Sequence, residues 1–123
     1  MTVADGQISR QEELRKRTKQ FALRIIRLSQ HLPRSTEAQV LGKQLLRSGT
    51  SVGANYRAAG RSRSKAEFVS KIGIVVEEAD ETVFWLECLV ESGIVKEELL
   101  KDLLVEANEL VAIFAASHRT ARH

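Results

Sequence analysis

Apolar residues return at alternating steps of three and four through four separate stretches of this chain, the period of helices that bury one face. The first stripe is Leu14, Phe21, Ile25, Leu28 and Leu32, with Thr18 filling one step. Ser9 and Glu12 have capping-box spacing at its start, and Pro33 closes it because the residue before a proline avoids the helical region. The second helix starts near Thr36, with Gln39 three residues on, and carries Ala38, Leu41, Leu45, Ser48, Val52 and Ala59. The third, over about residues 65–92, is the most apolar. Phe68, Ile72, Val75, Ala79, Leu86 and Val90 line its main face, widened by Val69, Val76 and Val83, and Gly93 supplies a stop. The fourth, from about Lys96, carries Leu99, Leu103, Ala107, Leu110 and Phe114, and its start has no capping side chain.

Four amphipathic helices on short connections predict an all-α fold, an antiparallel up-down-up-down four-helix bundle. Helices of about 24 residues would be roughly 36 Å long. One domain is expected over residues 1–123, with short flexible ends at 1–8 and 119–123. One proline and seven glycines leave little material for a loop-rich β fold. A single cysteine, Cys88, excludes an intramolecular disulfide and suits a reducing compartment. The N-terminus lacks the apolar run of a signal peptide, and no apolar stretch reaches membrane length. The expectation is a cytoplasmic protein with no membrane partner.

Residues 48–68 are the hinge of the pattern. Gly49 and Gly53 are four apart, with Ser48, Ser51 and Ala54 around them, so one helix face carries almost no side chain. A helical glycine costs roughly 1 kcal/mol relative to alanine, and close packing against a neighbouring helix is the expected compensation. Asn55 on that face is expected to be a buried amide bonded to a neighbouring helix. Arg57, Arg61, Arg63 and Lys65 then concentrate positive charge, and Ser64 with Glu67 has the spacing that starts the next helix.

Net charge is only +3, but residues 1–65 hold fourteen Lys/Arg against four Asp/Glu, and residues 66–123 hold five against twelve. That asymmetry fits either a nucleic-acid surface or two halves that neutralise each other across a bundle. On the third helix, Ile74, Glu78, Glu81, Trp85 and Cys88 recur on the side away from the main stripe. A tryptophan and an isoleucine beside two carboxylates suggest a subunit contact, with the acids meeting arginines of another copy. The alternative is a Trp85 lying under its own neighbours.

Catalytic chemistry finds little support. His31, His118 and His123 sit at helix ends or the terminus, where positive charge suits the helix dipole. The run Glu77-Glu78-Ala79-Asp80-Glu81 has no imidazole partners, so it reads as an acidic face rather than a metal cluster. Cys88 has no histidine nearby and reads as packing, and phosphate-loop and dinucleotide fingerprints are absent. No catalytic residue, metal or cofactor is expected, and the chain is not expected to be an enzyme.

The runs Ser51-Val52-Gly53-Ala54-Asn55 and Arg61-Ser62-Arg63-Ser64-Lys65-Ala66-Glu67-Phe68 resemble the signature of the four-helix bundle proteins encoded by intervening sequences of bacterial 23S ribosomal RNA genes. The run from Glu77 through Glu87 is similar to one branch of that family, and the likeness covers about residues 18–119. The family in turn resembles the accessory protein of diversity-generating retroelements, a five-membered ring of bundles with a basic surface that binds nucleic acid and a reverse transcriptase. The resemblance therefore implies a homo-oligomeric ring, a pentamer, with nucleic acid as a partner. Many members carry Ala-Glu-Gly soon after the asparagine, whereas this chain has Arg57-Ala58-Ala59-Gly60, which removes an acid and adds a base. Two functions stand at this point. One is a non-enzymatic, homo-oligomeric nucleic-acid-binding module, an adaptor for a nucleic-acid enzyme. The other is an oligomeric protein-interaction scaffold that binds no nucleic acid.

Overall fold

The computed structural model describes residues 9–123. It contains α1 (Arg10–Gln30), α2 (Thr36–Ala59), α3 (Lys65–Glu91) and α4 (Glu97–Arg122), and no strand among the described residues. Serines start three of the four helices. Ser9, Ser35 and Ser64 are extended residues whose hydroxyls accept from the amides of Glu12, Ala38 and Glu67. α2 starts at Thr36 as expected, but its cap is Ser35, and the Gln39 side chain donates to the Pro33 carbonyl. Lys96 precedes α4 and gives no side-chain cap, as the sequence suggests. Gly93, at φ 80°, lets the chain leave α3 in the left-handed region, and Val95 N–H reaches back to the Leu89 carbonyl. The segment 119–123, expected to be a loose tail, is instead helical through Arg122, and the corresponding expectation for 1–8 lies outside the described residues.

Each helix packs antiparallel on the next, α1 on α2, α2 on α3 and α3 on α4, while α1 touches α4 only lightly. The core is the union of the stripes. Phe21, Ile25, Leu45, Val52, Ile72, Val75, Leu86, Leu110 and Phe114 are fully buried. Two positions correct the stripes read from sequence. On α4, Leu99 is 73% exposed and Leu100 takes its place in the core; on α3, Leu89 is fully buried. Tyr56 also enters the core, its ring 5.0 Å from that of Phe114.

The α1–α2 seam is held close by glycines of α2. A methyl group on Gly49 would lie 2.8 Å from Ile25 Cγ1, one on Gly42 would lie 2.8 Å from Leu32 Cδ1, and one on Gly53 would lie 3.3 Å from the Thr18 carbonyl oxygen. The small-residue face therefore does face a near neighbour, as its composition implied. Asn55 departs from expectation. It is half-buried and its Nδ2 donates to the Ser51 carbonyl of its own helix at 2.9 Å, so it does not tie α2 to a neighbour. A side-chain amide on a helix flank reaches the carbonyl one turn back more readily than a partner helix. The buried polar link between helices is instead Ser48 with Thr82, whose hydroxyl oxygens are 3.0 Å apart between α2 and α3.

Candidate nucleic-acid interface

The antiparallel order puts the start of α1, the end of α2, the start of α3 and the end of α4 at one end of the bundle. Arg57, in the last turn of α2, is exposed. Arg61 and Ser62 then make a tight turn, their amides bonding the Ala58 and Ala59 carbonyls at 3.0 and 3.1 Å. Arg63 precedes the Ser64 cap and Lys65 opens α3, its Nζ 3.5 Å from the backbone oxygen of His123. All four basic residues are exposed, and among the described residues none forms an ion pair. Arg10, Arg119 and Arg122 are exposed at the same end. Arg57 opposes the negative C-terminal dipole of α2, but Arg63 and Lys65 stand at the positive start of α3, so the dipole there adds to their field. Ser62 Oγ is buried inside this corner without a hydrogen-bond partner.

Elsewhere, opposite charges meet within the chain. Arg17 Nε and Nη2 donate to both oxygens of Glu106 at 2.7 and 2.8 Å, and Nη2 also reaches Glu109 at 2.6 Å. This clasp bridges α1 and α4, whose backbones approach at few points, and its hydrogen bonds hold the Glu106 carboxyl below the ordinary carboxylate range against the opposing effect of burial. On the opposite seam Arg47 of α2 pairs with Glu78 at 3.1 Å and with Glu81. Trp85 Nε1 donates to Glu81 at 3.0 Å, and this bond, followed by Arg47, lowers the Glu81 pKa. The arginine expected from another copy for Glu78 and Glu81 is thus supplied by the chain itself. Trp85 is half-buried against the core, with Phe84 edge-on to it at 4.9 Å. Ile74 (37%) and Phe84 (54%) keep that side of α3 exposed.

Of the fourteen basic residues in positions 1–65, only Arg17 and Arg47 find carboxylates among the described residues. Neutralisation between the halves is therefore partial, and the corner at residues 57–65 is left out of it. Arg10, Arg17 and Arg24 repeat every seven residues along one flank of α1, and Arg17 of that row makes the clasp. Arg47 has no counterpart at that spacing on α2, and only the α2–α3 packing brings it to its carboxylates. Among the described residues no group of three His, Cys, Asp or Glu side chains could hold a metal ion. No helix there is long and apolar enough to cross a membrane.

A family model described as 23S rRNA-intervening sequence protein matches residues 10–116, from the first residue of α1 nearly to the end of α4. The chain belongs to that family. A crystal structure from Bacteroides thetaiotaomicron, described as a protein with unknown function from the S23 ribosomal protein family, is 32% identical to it. It matches with a TM-score of 0.83 over 90% of this chain and 99% of that one. No curated protein matches. The chain and that crystal structure thus share the four-helix bundle over nearly their whole lengths.

Proposed function

We propose that this member of the family is a non-enzymatic, homo-oligomeric bundle that binds the phosphate backbone of nucleic acid through its basic end, serving as an adaptor for a nucleic-acid enzyme. The observation that carries the reading is the set of exposed cations at positions 57, 61, 63 and 65, which meet at one end of the bundle and have no ion-pair partner among the described residues. Charges left in water at one end of a rod attract polyanions without reading base sequence. Few aromatic residues lie among them, and Tyr56, the nearest in sequence, has its ring in the core, so stacking on splayed bases is not part of the mode. The test is binding of labelled duplexes of unrelated sequence at low salt. Affinities within a few-fold of one another are expected, and a wild type that binds none of them at about 50 mM salt overturns the proposal.

The second reading, a protein-interaction scaffold, is favoured by the exposed Phe84 and Ile74 on α3. A homo-oligomer built on that face is compatible with both readings, and a five-membered ring is the form the resemblance implies. Light scattering distinguishes the monomer mass of 13.8 kDa from a multiple of it.

A further inference from the structure

A second cluster of cations adjoins the corner, in a cleft of about 220 Å³ on the α1–α2 seam. Arg15 and Lys19 stand one turn apart on α1, Arg57 faces them from α2, and Ala22, Gly53 and Ala54 form the floor with Thr50. Gly53, which passes close to the Thr18 backbone, lies on its lining and brings no side chain into it. No carboxylate lines it, and the three cations are exposed and without ion pairs among the described residues. The Thr50 hydroxyl is bonded to the Leu46 carbonyl at 2.7 Å, so recognition there falls to the cations. The field is felt nearby: Arg15 and Arg10 both favour the ionised form of the Tyr56 hydroxyl, although burial, the larger effect, pushes its pKa up.

Three like charges around an uncharged depression repel one another unless an anion is shared between them. We propose that this cleft seats a phosphate group, with Arg15, Lys19 and Arg57 as its ligands and the alanine floor receiving the flanking sugar carbons. The inference rests on the nucleic-acid reading above and extends it. Arg57 belongs to both clusters, so a backbone bound at the corner continues along the α1–α2 seam. Base edges take no part, and the seam holds the strand by charge and shape alone.

The experiment measures affinity for a labelled duplex as a function of salt, using the full chain. Ala54→Glu places a carboxylate in the cleft at an exposed helical position that tolerates it, and Ala54→Gln is the size-matched control. The glutamate variant is expected to bind roughly tenfold more weakly at low salt, and the glutamine variant like the wild type. Arg15→Ala with Lys19→Ala is expected to flatten the log–log salt slope by about 1.8, the share of two phosphate contacts. Inorganic phosphate is the second arm. If millimolar phosphate displaces the duplex from the wild type but not from the double variant, the cleft recognises the free ion as well as the backbone. If the wild type binds duplex and both Ala54→Glu and the double variant bind equally well, the cleft proposal fails while the corner stands. If the wild type binds no duplex, the function proposed above fails and this inference with it.

Discussion

Gly49 is the α2 glycine hemmed in by the most side-chain atoms of α1, and Gly49→Ala tests the packing of that seam. The added methyl would lie 2.8 Å from Ile25 Cγ1, 2.9 Å from Cγ2 and 3.2 Å from Cβ. Ile25 is fully buried and branched at Cβ, so it has no alternative rotamer that clears all three contacts cheaply. Replacing a mid-helix glycine with alanine would by itself stabilise α2 by about 1 kcal/mol. Forcing a methyl into a filled core costs about 1–3 kcal/mol. The overlap wins, for a net loss on the order of 1 kcal/mol and a fall of about 4 °C in the thermal midpoint. Circular-dichroism melting reads it directly. A double-mutant cycle sharpens the attribution, because Ile25→Ala removes both Cγ atoms. Its own cost of about 2–5 kcal/mol should shrink by about 1 kcal/mol or more when alanine occupies position 49. A midpoint for Gly49→Ala equal to or above that of the wild type would show that the two helices can separate without cost.

Three further outcomes are expected. Arg17→Ala should lower stability by about 1 kcal/mol, measured by urea titration, because it opens the half-buried clasp on Glu106. Glu106 and Glu81 titrate below the ordinary 4.5 in the folded chain, so their contribution is present above pH 4.5 and is lost as pH falls through their lowered values. A pH–stability series should show Glu106→Gln losing less than the wild type below pH 4.5. Phe84→Ser, at a 54% exposed position, should leave the melting midpoint nearly unchanged and reduce the mass seen by light scattering; an unchanged multimer would exclude this face as the contact.

The fold was legible because helical period, serine caps and the Pro33 and Gly93 stops all agree, and each is a local property of the chain. The same locality explains the misses. Leu99 and Leu100 fit the α4 stripe about equally well, and only the rotation of α4 on its neighbours buries the second and exposes the first. Asn55 could bond one turn back or across the seam, and spacing alone does not distinguish the two. Glu78 and Glu81 have no arginine near them in the sequence, because Arg47 lies more than thirty positions away and only the α2–α3 pairing brings it alongside. The corner at residues 57–65 was visible as a run of bases. Arg15 and Lys19 belong beside Arg57 only once Gly53 has drawn α2 against Thr18.

The account turns on the unpaired cations of residues 57–65 meeting phosphates, and the salt dependence of duplex binding tests that most directly. Neutralising about four phosphates gives a log–log slope near −3.6, so raising salt from about 50 to 200 mM should weaken binding on the order of 100-fold, and more steeply where the seam contributes. Arg61→Ala with Arg63→Ala should flatten the slope by about two while the melting midpoint stays nearly constant, since neither residue has an ion-pair partner among the described residues. A slope that is the same in wild type and double variant, with the oligomer's mass changed instead, would contradict the account and place these arginines in contacts between copies.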